Sequence, residues 1–343
     1  MRLPAGPVGS RAAPALRIGD LKPGELGDLL KAGSLGLCTG PLITRITTRL
    51  RDVEHYIARA YRRHPCIVDP VFADVRVEIR TPRNLRRWVR AQTEFIVEGE
   101  SPFEPLPRKQ APALLEWGLN WTIASACHQW LTVHAACLER GGRAVILPAP
   151  PGSGKSTLCA ALAFRGWRLL SDELTLLEPG SGLVRGLARP INLKNASIAV
   201  IGAFEPAAEW GSNTFDTHKG TVAHLCPPHD SVARMGEPAL PAWIVFPRYQ
   251  AGADPLLTPR GKVATFNHFA SNSFNYSILG ELAFHTVGDL LERCQCFDFT
   301  YSRLDDALEV FDWLASDEGA PAPDGARPAT DQAAARPHRP EFA

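Results

Sequence analysis

Residues 130–177 read WLTVHAACLERGGRAVILPAPPGSGKSTLCAALAFRGWRLLSDELTLL, and most of the fold prediction depends on them. The apolar run at residues 144–147 predicts a short buried strand. The prolines that follow it end that strand, because proline has no backbone N–H to donate. Residues 152–157 come next, and the small and apolar residues after them favour a helix. The order of strand, tight loop and helix therefore predicts an α/β fold.

The loop at the start of this helix has the composition of a phosphate-binding P-loop. Glycines let several backbone N–H groups face one anion, and the first helical turn adds unpaired donors. Lys155 supplies a positive charge for terminal phosphates, and the Ser156 hydroxyl suits Mg2+. Ala149 stands where the motif has its first glycine, so a turn that only starts a helix stays the alternative. The predicted nucleotide-binding residues are Gly152, Ser153, Gly154, Lys155, Ser156 and Thr157.

An acidic pair, Asp172 and Glu173, follows one helix later between two apolar pieces. Two carboxylates at a strand end near such a loop suit nucleotide chemistry. One would hold the metal, and the other would accept a proton from an attacking hydroxyl. An ordinary polar turn between strands is the alternative interpretation. His134 lies one strand before the loop, and this position makes it a catalytic candidate beside the simpler interpretation of a packed core histidine.

The run from residue 133 to residue 177 resembles the catalytic domain of HPr kinase/phosphorylase and its HPr-kinase-related relatives, and the HprK-related kinase A type fits best. The family's elements appear here in the family's order: His134-Ala135, residues 144–147, residues 149–156, Arg165-Gly166 and Asp172-Glu173. The resemblance implies a P-loop α/β core of the HPr-kinase/PEP-carboxykinase type with a small N-terminal α+β domain.

The resemblance also implies an activity, that of an ATP- and Mg2+-dependent kinase. The γ-phosphoryl group would pass to a hydroxyl, that of a Ser in a protein or peptide. The implied catalytic residues are Asp172, His134, Lys155 and Glu173, and the implied metal ligands are Ser156 and Glu173. Which carboxylate is the base and which the metal ligand stays open.

Departures from the family pattern bear on the reverse reaction. Ala135 and Ala149 replace glycines of the family, and Glu173 replaces its second aspartate. Residues 183–191, LVRGLARPI, lack the acidic residue that supports dephosphorylation in the bifunctional enzymes. The kinase half of the activity is therefore better supported than the phosphorylase half.

Three basic residues further along are candidates to contact the transferred phosphoryl group or the acceptor: Arg189, Lys219 and Arg248. Arg189 and Lys219 lie in polar segments able to close over a nucleotide and neutralise its charge. Arg248 follows the apolar run 241–247, and a surface arginine is the equal alternative there. His218 and His224 suggest a metal site, but their spacing and the lack of a third ligand favour ordinary loop histidines.

Composition bounds the class of protein. Of 343 residues, 45% are hydrophobic, and 37 basic and 36 acidic residues give a formal charge of +1. This balance argues against a nucleic-acid-coating or membrane-surface protein. The eight scattered cysteines contain no Cys-x-x-Cys motif, and neither a signal peptide nor a membrane span is visible. We therefore expect a cytoplasmic protein without nucleic-acid or membrane partners, and a homo-oligomer stays open.

The chain divides into four predicted segments. Residues 1–15 and 317–343 are predicted to be disordered from their Pro, Gly and Ala content. Residues 16–107 are predicted to form the N-terminal domain, as an interaction module or a packing cap, and 108–316 the catalytic domain. Helix 111–127 is apolar all round, so its Trp117 and Trp121 are expected to pack in the core. Residues 275–293 are expected to form one helix with a single apolar stripe.

Three functions remain open from the sequence. The kinase described above is the first. A nucleotide-binding regulatory protein without phosphoryl transfer is the second, which Ala149 in the loop motif favours. A small-molecule kinase or carboxykinase-like enzyme is the third. The nature of any phosphorylated product separates them.

Overall fold

The structure is a computed structural model that describes residues 16–82 and 91–316 of the chain. The segments predicted to be disordered, 1–15 and 317–343, lie outside the described residues. Within the described part, helices alternate with strands that form three sheets, of six, eight and three strands. The fold is therefore mixed α/β, as the sequence predicts, and the domain boundary at residue 107 stays a prediction.

The six-stranded sheet comes from the first third of the chain. Its strands are β1 Leu35–Thr39, β2 Leu42–Thr48, β3 Cys66–Val68, β4 Val75–Arg80, β5 Gln92–Val97 and β6 Leu106–Pro107. They are ordered β3-β1-β2-β4-β5-β6, and only the β2–β4 pair is parallel. In β2 buried residues alternate with partly exposed ones, so one face of the sheet packs on a core.

The eight-stranded sheet carries the stretch at residues 130–177. Its strands are β7 Leu131–Arg140, β8 Arg143–Pro148, β9 Arg168–Ser171, β10 Leu174–Leu177, β11 Val184–Arg185, β15 Leu240–Tyr249, β16 Leu256–Pro259 and β17 Gln295–Tyr301. The order is β11-β10-β7-β8-β15-β17-β16, with β9 also paired to β7. Because β8, β15 and β17 run parallel, their carboxyl ends meet at one edge of the sheet.

The three-stranded sheet lies in the order β12-β14-β13 and is antiparallel. Its strands are β12 Ile191–Lys194, β13 Thr214–Thr217 and β14 Gly220–Leu225. It carries polar residues at the ends of β12 and in the turn between β13 and β14, and this is the part of the sheet that bears on the site.

The helices of the described residues separate into two groups by position. Those before the large sheet are α1 Glu25–Ala32, α2 Arg51–Ala60 and α3 Ala111–Ala126, with 3-10 turns at Ile18–Asp20 and Arg108–Gln110. Those that follow are α4 Lys155–Ala163, α5 Ala196–Phe204, α6 His229–Ala233, α7 Lys262–Asn272, α8 Tyr276–Leu279, α9 Glu281–Arg293 and α10 Leu304–Ala315. None of the described helices is both long and apolar enough to cross a membrane.

The single helix expected over residues 275–293 is wrong, because the chain breaks at Gly280. This residue has φ +54° and ψ −119°, outside the helical region, and it separates α8 from α9. As a result Ile278, which the sequence places on the buried stripe, is 63% exposed. Leu282, inside α9, also departs from the predicted stripe and is 48% exposed. The predicted stripe holds only for the part of α9 in which Ala283, Val287, Leu290 and Leu291 are buried.

Two cores determine where the site lies. α4 packs its buried residues between the large sheet, α5 and α10, in one continuous apolar cluster. α3 packs with α2 and the six-stranded sheet instead, through Leu114, Leu115 and Leu119. Since α3 also contributes Ile123 to a cluster with Leu174 of β10, it joins the N-terminal sheet to the large one.

Candidate active site

Two glycines give the loop between β8 and α4 its shape. Gly152 and Gly154 have φ of +87° and +86°, a region that glycine adopts without steric conflict. A Cβ on Gly154 would lie 2.6 Å from the Tyr301 hydroxyl oxygen, so there is no room for a side chain. Tyr301 Oη donates to the Gly154 carbonyl oxygen at 3.2 Å, and the Tyr249 N–H donates to the Ser153 carbonyl oxygen at 2.9 Å. The ends of β15 and β17 therefore hold the loop in place.

The first turn of α4 is open to an anion. Gly154 is its N-cap, and no side chain among the described residues caps this helix. The first N–H groups of a helix lack partners within it, and the helix dipole makes this end positive. Lys155 begins the helix and is only 8% exposed. This burial lowers the pKa of Lys155, although the negative charges of Glu173 and Asp172 act to raise it.

The acidic pair occupies a break in a strand. β9 and β10 both pair with β7, beside residues 137–139 and 131–134 respectively, and Asp172 and Glu173 form the bend between them. The N–H groups of Glu173 and Leu174 donate to Ser171 Oγ at 3.3 Å and 3.0 Å, which stabilises the bend. Leu174 is in register with His134 of β7. The sheet itself therefore places His134 beside the acidic pair.

His134 and Lys155 are in contact. Lys155 Nζ lies 3.4 Å from His134 Nε2, so the ammonium donates to an unprotonated ring nitrogen. Burial, and next the charge of Lys155, lowers the pKa of His134 to about 4. His134 is therefore neutral at physiological pH, and its Nε2 lone pair faces the cation.

Asp172 is the most perturbed carboxyl group of the site. It is 8% exposed, and its Oδ2 accepts a hydrogen bond from the Asn192 backbone N–H at 2.7 Å. Burial, and next the charge of Glu173, raises the pKa of Asp172 to about 7. Perturbed carboxyl groups of this kind are typical of acid–base sites, because a group that titrates near neutral pH can both take and release a proton.

A chain of side chains leads from Glu173 into the core. Asn120 Nδ2 of α3 donates to Glu173 Oε2 at 2.7 Å, and Arg189 Nη1 donates to Asn120 Oδ1 at 2.5 Å. Arg189 Nη2 donates in turn to Glu116 Oε2 at 2.5 Å. Two tyrosine hydroxyls donate to the other oxygen of Glu116, Tyr56 at 2.9 Å and Tyr61 at 2.7 Å. The orientation of Glu173 is thus tied to a buried ion pair.

We expect Arg189→Met to lower the free energy of unfolding by about 3–5 kcal/mol, because it leaves a buried carboxylate without its partner. The two side chains of the pair are 6% and 4% exposed. Burial acts to raise the pKa of Glu116, but the charges of Arg189 and His224 and the hydrogen bonds from Tyr61 and Arg189 together outweigh it, so the pKa of Glu116 is lowered. Urea denaturation followed by circular dichroism measures the loss.

The matched control is Arg76→Met on β4, where the ion pair is exposed. Arg76 Nη1 lies 4.0 Å from Glu98 Oε2, and the two side chains are 61% and 60% exposed. Its loss is expected to change the unfolding free energy by less than about 1 kcal/mol. Similar losses for Arg76→Met and Arg189→Met would contradict the special weight given to the buried pair.

One cleft of about 530 Å³ brings these groups together. It is lined by all predicted catalytic and nucleotide-binding residues: His134, Gly152, Ser153, Gly154, Lys155, Ser156, Thr157, Asp172 and Glu173. Residues of the three-stranded sheet and of the segment leading into α5 complete it: Asn192, Lys194, Asn195, Ser197 and Lys219. Two of its buried oxygens, Ser153 Oγ and Asn192 Oδ1, lack a hydrogen-bond partner within the described chain.

The three predicted basic contacts fall in different places. Lys219 lines the cleft, and desolvation, with Lys194 next, lowers the pKa of Lys219. Arg189 is buried in its pair with Glu116 and lies beyond the cleft. Arg248 is exposed at the end of β15 and does not line the cleft.

The two predicted loop histidines occupy different surroundings. The His218 ring lies 5.0 Å from the Trp117 ring, and His224 is buried. Among the described residues no group of three or more His, Cys, Asp or Glu side chains is suited to hold a metal. Mg2+ sites of nucleotide enzymes do not need such a group, because one or two carboxylates act there with substrate phosphates.

Sequence reasoning missed several residues of the site. Asn120, Asn192 and Lys194 contact or face the acidic pair, yet none belongs to a motif. Their only signal is a polar side chain in an otherwise apolar segment, as for Asn120 between Leu119 and Trp121. That signal is common and does not identify a partner.

Comparison with known proteins adds a similarity to solved structures. No protein-family model matches the chain, and no curated protein matches it. Among solved structures, the chain is similar to the Hpr(Ser) kinase/phosphatase from Coxiella burnetii, with 13% identity and a TM-score of 0.24. The match covers 53% of this chain and 93% of that chain.

Proposed function

We propose that this chain is an ATP-dependent phosphotransferase that moves the γ-phosphoryl group to the hydroxyl of a Ser in a protein or peptide. One observation carries the proposal. The glycine loop, a buried lysine, two carboxylates and a neutral histidine come from separate elements and line a single cleft. This set is what phosphoryl transfer requires, since its catalysis is positioning and electrostatic stabilisation.

The loop and helix start would hold the nucleotide. The backbone N–H groups of residues 152–157 would face the phosphates, with the helix dipole favouring their charge. Lys155 would move its hydrogen bond from His134 to a phosphate oxygen. Lys219, on the facing side of the cleft, would neutralise charge on the transferred group. Arg189 would act indirectly, by orienting Asn120 and through it Glu173.

Ser156 and Glu173 are the proposed magnesium ligands. Both offer oxygen atoms to the same cleft, and Mg2+ prefers oxygen ligands together with substrate phosphates. The bound ion would neutralise charge on the β- and γ-phosphates. Asn120 holds Glu173 Oε2 at 2.7 Å, so the other carboxylate oxygen would be the one to hold the ion.

Asp172 is the proposed general base. The acceptor hydroxyl would give its proton to the Asp172 carboxylate while its oxygen forms a bond to the γ-phosphorus. The bond from that phosphorus to the β–γ bridging oxygen breaks, and ADP leaves with the electron pair. Asp172 is preferred to Glu173 as the base because burial raises the pKa of Asp172 to about 7, so this carboxyl group can take and release a proton near neutral pH.

Transfer from γ-labelled ATP with Mg2+ to lysate fractions separated by size tests the proposal. A labelled protein or peptide is the expected product. A labelled small molecule would instead indicate a metabolite kinase. Nucleotide binding without any labelled product would indicate a regulatory protein and overturn the proposed transfer.

The rate is expected to rise with pH through about 7. Burial raises the pKa of Asp172 to about 7, and only the ionised carboxylate accepts the proton. Below this pKa, kcat/KM is expected to fall about tenfold per pH unit, and above it to reach a plateau. The pKa of His134 is lowered to about 4, so its titration does not add a second inflection to the rate profile near neutral pH. The measurement is kcat/KM between pH 5 and 9, and a flat profile would exclude Asp172 as the base.

A further inference from the structure

An apolar groove adjoins the cleft. It has a volume of about 690 Å³ and runs between α3, the segment before β6, and the segment at α8. Its apolar wall is formed by Phe103, Leu106, Trp117, Trp121, Phe274 and Ile278. Three of these are unusually exposed for their type, Trp121 at 41%, Phe274 at 51% and Ile278 at 63%. Contiguous exposed apolar side chains of this kind mark binding surfaces.

The groove opens into the proposed transfer site. Glu173 and Lys219 line both the cleft and the groove, so the two share one boundary. Trp117 stands at this boundary, with the Lys219 ammonium 5.1 Å from its ring centroid. A molecule lying in the groove would therefore present its end to the acidic pair and to the transferred phosphoryl group.

The wall at α8 is held firmly against the large sheet. The Phe274 backbone N–H donates to the Thr132 carbonyl oxygen at 2.9 Å. Asn275 accepts from the Thr132 N–H at 3.0 Å and donates to the Trp130 carbonyl oxygen at 2.8 Å. Phe274 is therefore exposed on a rigid support, which lowers the entropy lost when a ligand packs against it.

The shape of the groove favours a peptide over a small molecule. Small-molecule sites enclose 70–90% or more of the ligand surface. Here Trp121, Phe274 and Ile278 remain 41–63% exposed, so the groove covers only one side of what lies in it. An extended segment of a larger chain fits this shape, because its other side stays in water.

We propose that the groove binds the acceptor segment of the substrate, through an aromatic or large aliphatic side chain within a few residues of the phosphorylated Ser. This inference rests on the proposed function and adds the recognition element. The hydroxyl would lie at Glu173 and Asp172, and the apolar residue against Trp121 and Ile278. Extended residues span about 3.3–3.6 Å each, so the spacing between them sets the register.

The test uses the full chain and synthetic peptides with one Ser and one Phe or Leu placed one to four residues away. Each peptide has a partner with Ala at the apolar position. We expect at least one spacing to lower KM about tenfold relative to its Ala partner. Trp121→Ala, or Ile278→Ser if that variant fails to fold, is expected to raise this KM about tenfold with kcat retained. Trp313→Ala is the matched control, since Trp313 is 46% exposed on α10 away from the groove.

Calorimetry separates the two proposals. Peptide binding is measured without nucleotide, and binding of a non-hydrolysable ATP analogue with Mg2+ is measured without peptide. If peptide binds and Trp121→Ala weakens that binding, the proposed peptide site is supported even when no phosphoryl transfer is seen. A failure of transfer alone overturns only the proposed function. Two results would overturn the proposed peptide site: transfer to peptides with no preference for an apolar residue near the Ser, or transfer to small apolar alcohols but to no peptide.

Discussion

Asp172→Asn is expected to lower kcat for phosphoryl transfer by about 10²–10⁴-fold while the protein stays folded and binds nucleotide. The amide cannot take the proton of the acceptor hydroxyl. It has nearly the same shape, and its oxygen can still accept from the Asn192 N–H, which lies 2.7 Å from Asp172 Oδ2. Initial rates with γ-labelled ATP measure kcat, and calorimetry with the non-hydrolysable analogue measures nucleotide affinity.

The same substitution has a second readout, the pH dependence of stability, which reports the ionisation of Asp172 itself. Burial raises the pKa of Asp172 to about 7, above the ordinary value of 3.8. Its proton is therefore held more tightly in the folded state, and the stability it contributes is complete below pH 3.8 and lost as pH rises through 7. Asparagine does not ionise, so the variant is expected to melt several degrees above the wild type at pH 8, with a smaller gain at pH 5.

The control for this prediction is Asp312→Asn, whose carboxylate is 56% exposed on α10. It is expected to keep the wild-type rate. An Asp172→Asn enzyme with full activity would remove the residue from the mechanism. A variant that melts below the wild type at pH 8 would instead show that the ionised carboxylate stabilises the fold.

Local chemistry explains which parts of the site the sequence predicts. The loop at residues 152–157 is specified by neighbours in the chain, because glycine torsions and helix initiation act over a few residues. The proximity of His134 to Glu173 follows from one antiparallel pairing, His134 opposite Leu174. These features are short-range once the strands are identified, and so the sequence could predict which of these residues line the cleft.

Long-range partners explain what the sequence does not predict. Asn120 donates a hydrogen bond to Glu173, which is 53 residues away in the sequence, and Arg189 donates to Glu116, which is 73 residues away. Nothing in the local pattern of α3 distinguishes these polar residues from exposed ones. The sequence therefore offers Arg189 as a candidate contact to the transferred phosphoryl group or the acceptor, although its guanidinium is committed to a buried pair with Glu116.

The groove was missed for a related reason. Helix α3 is apolar on every side, so its pattern does not separate residues that face a core from residues that face solvent. Leu115 is fully buried while Trp121 is 41% exposed, and only the positions of the six-stranded sheet and of α8 decide the difference. The break at Gly280 has the same effect on Ile278, since it ends a stripe that looks continuous in the sequence.

Lys155→Ala is expected to reduce transfer by at least about 10³-fold and to weaken nucleotide affinity. Lys155 is the first residue of α4 and is 8% exposed, so its charge acts where water screens it least. Lys194 and Lys219 line the same cleft but come from the facing sheet, and they do not replace a charge at the helix start. Rates with labelled ATP and calorimetry with the analogue measure both losses.

The titration of His134 reports the loss of the Lys155 charge in the absence of any substrate. The charge of Lys155 is, after burial, the next cause that lowers the pKa of His134 to about 4. Removing it is expected to raise that pKa, as followed by NMR of the imidazole C–H signals. Lys262→Ala, which removes an exposed lysine paired with Glu292 at 3.1 Å, is expected to change neither rate nor titration. If Lys155→Ala shifts the His134 titration but leaves transfer intact, the geometry of the cleft is right and the role given to the lysine is wrong.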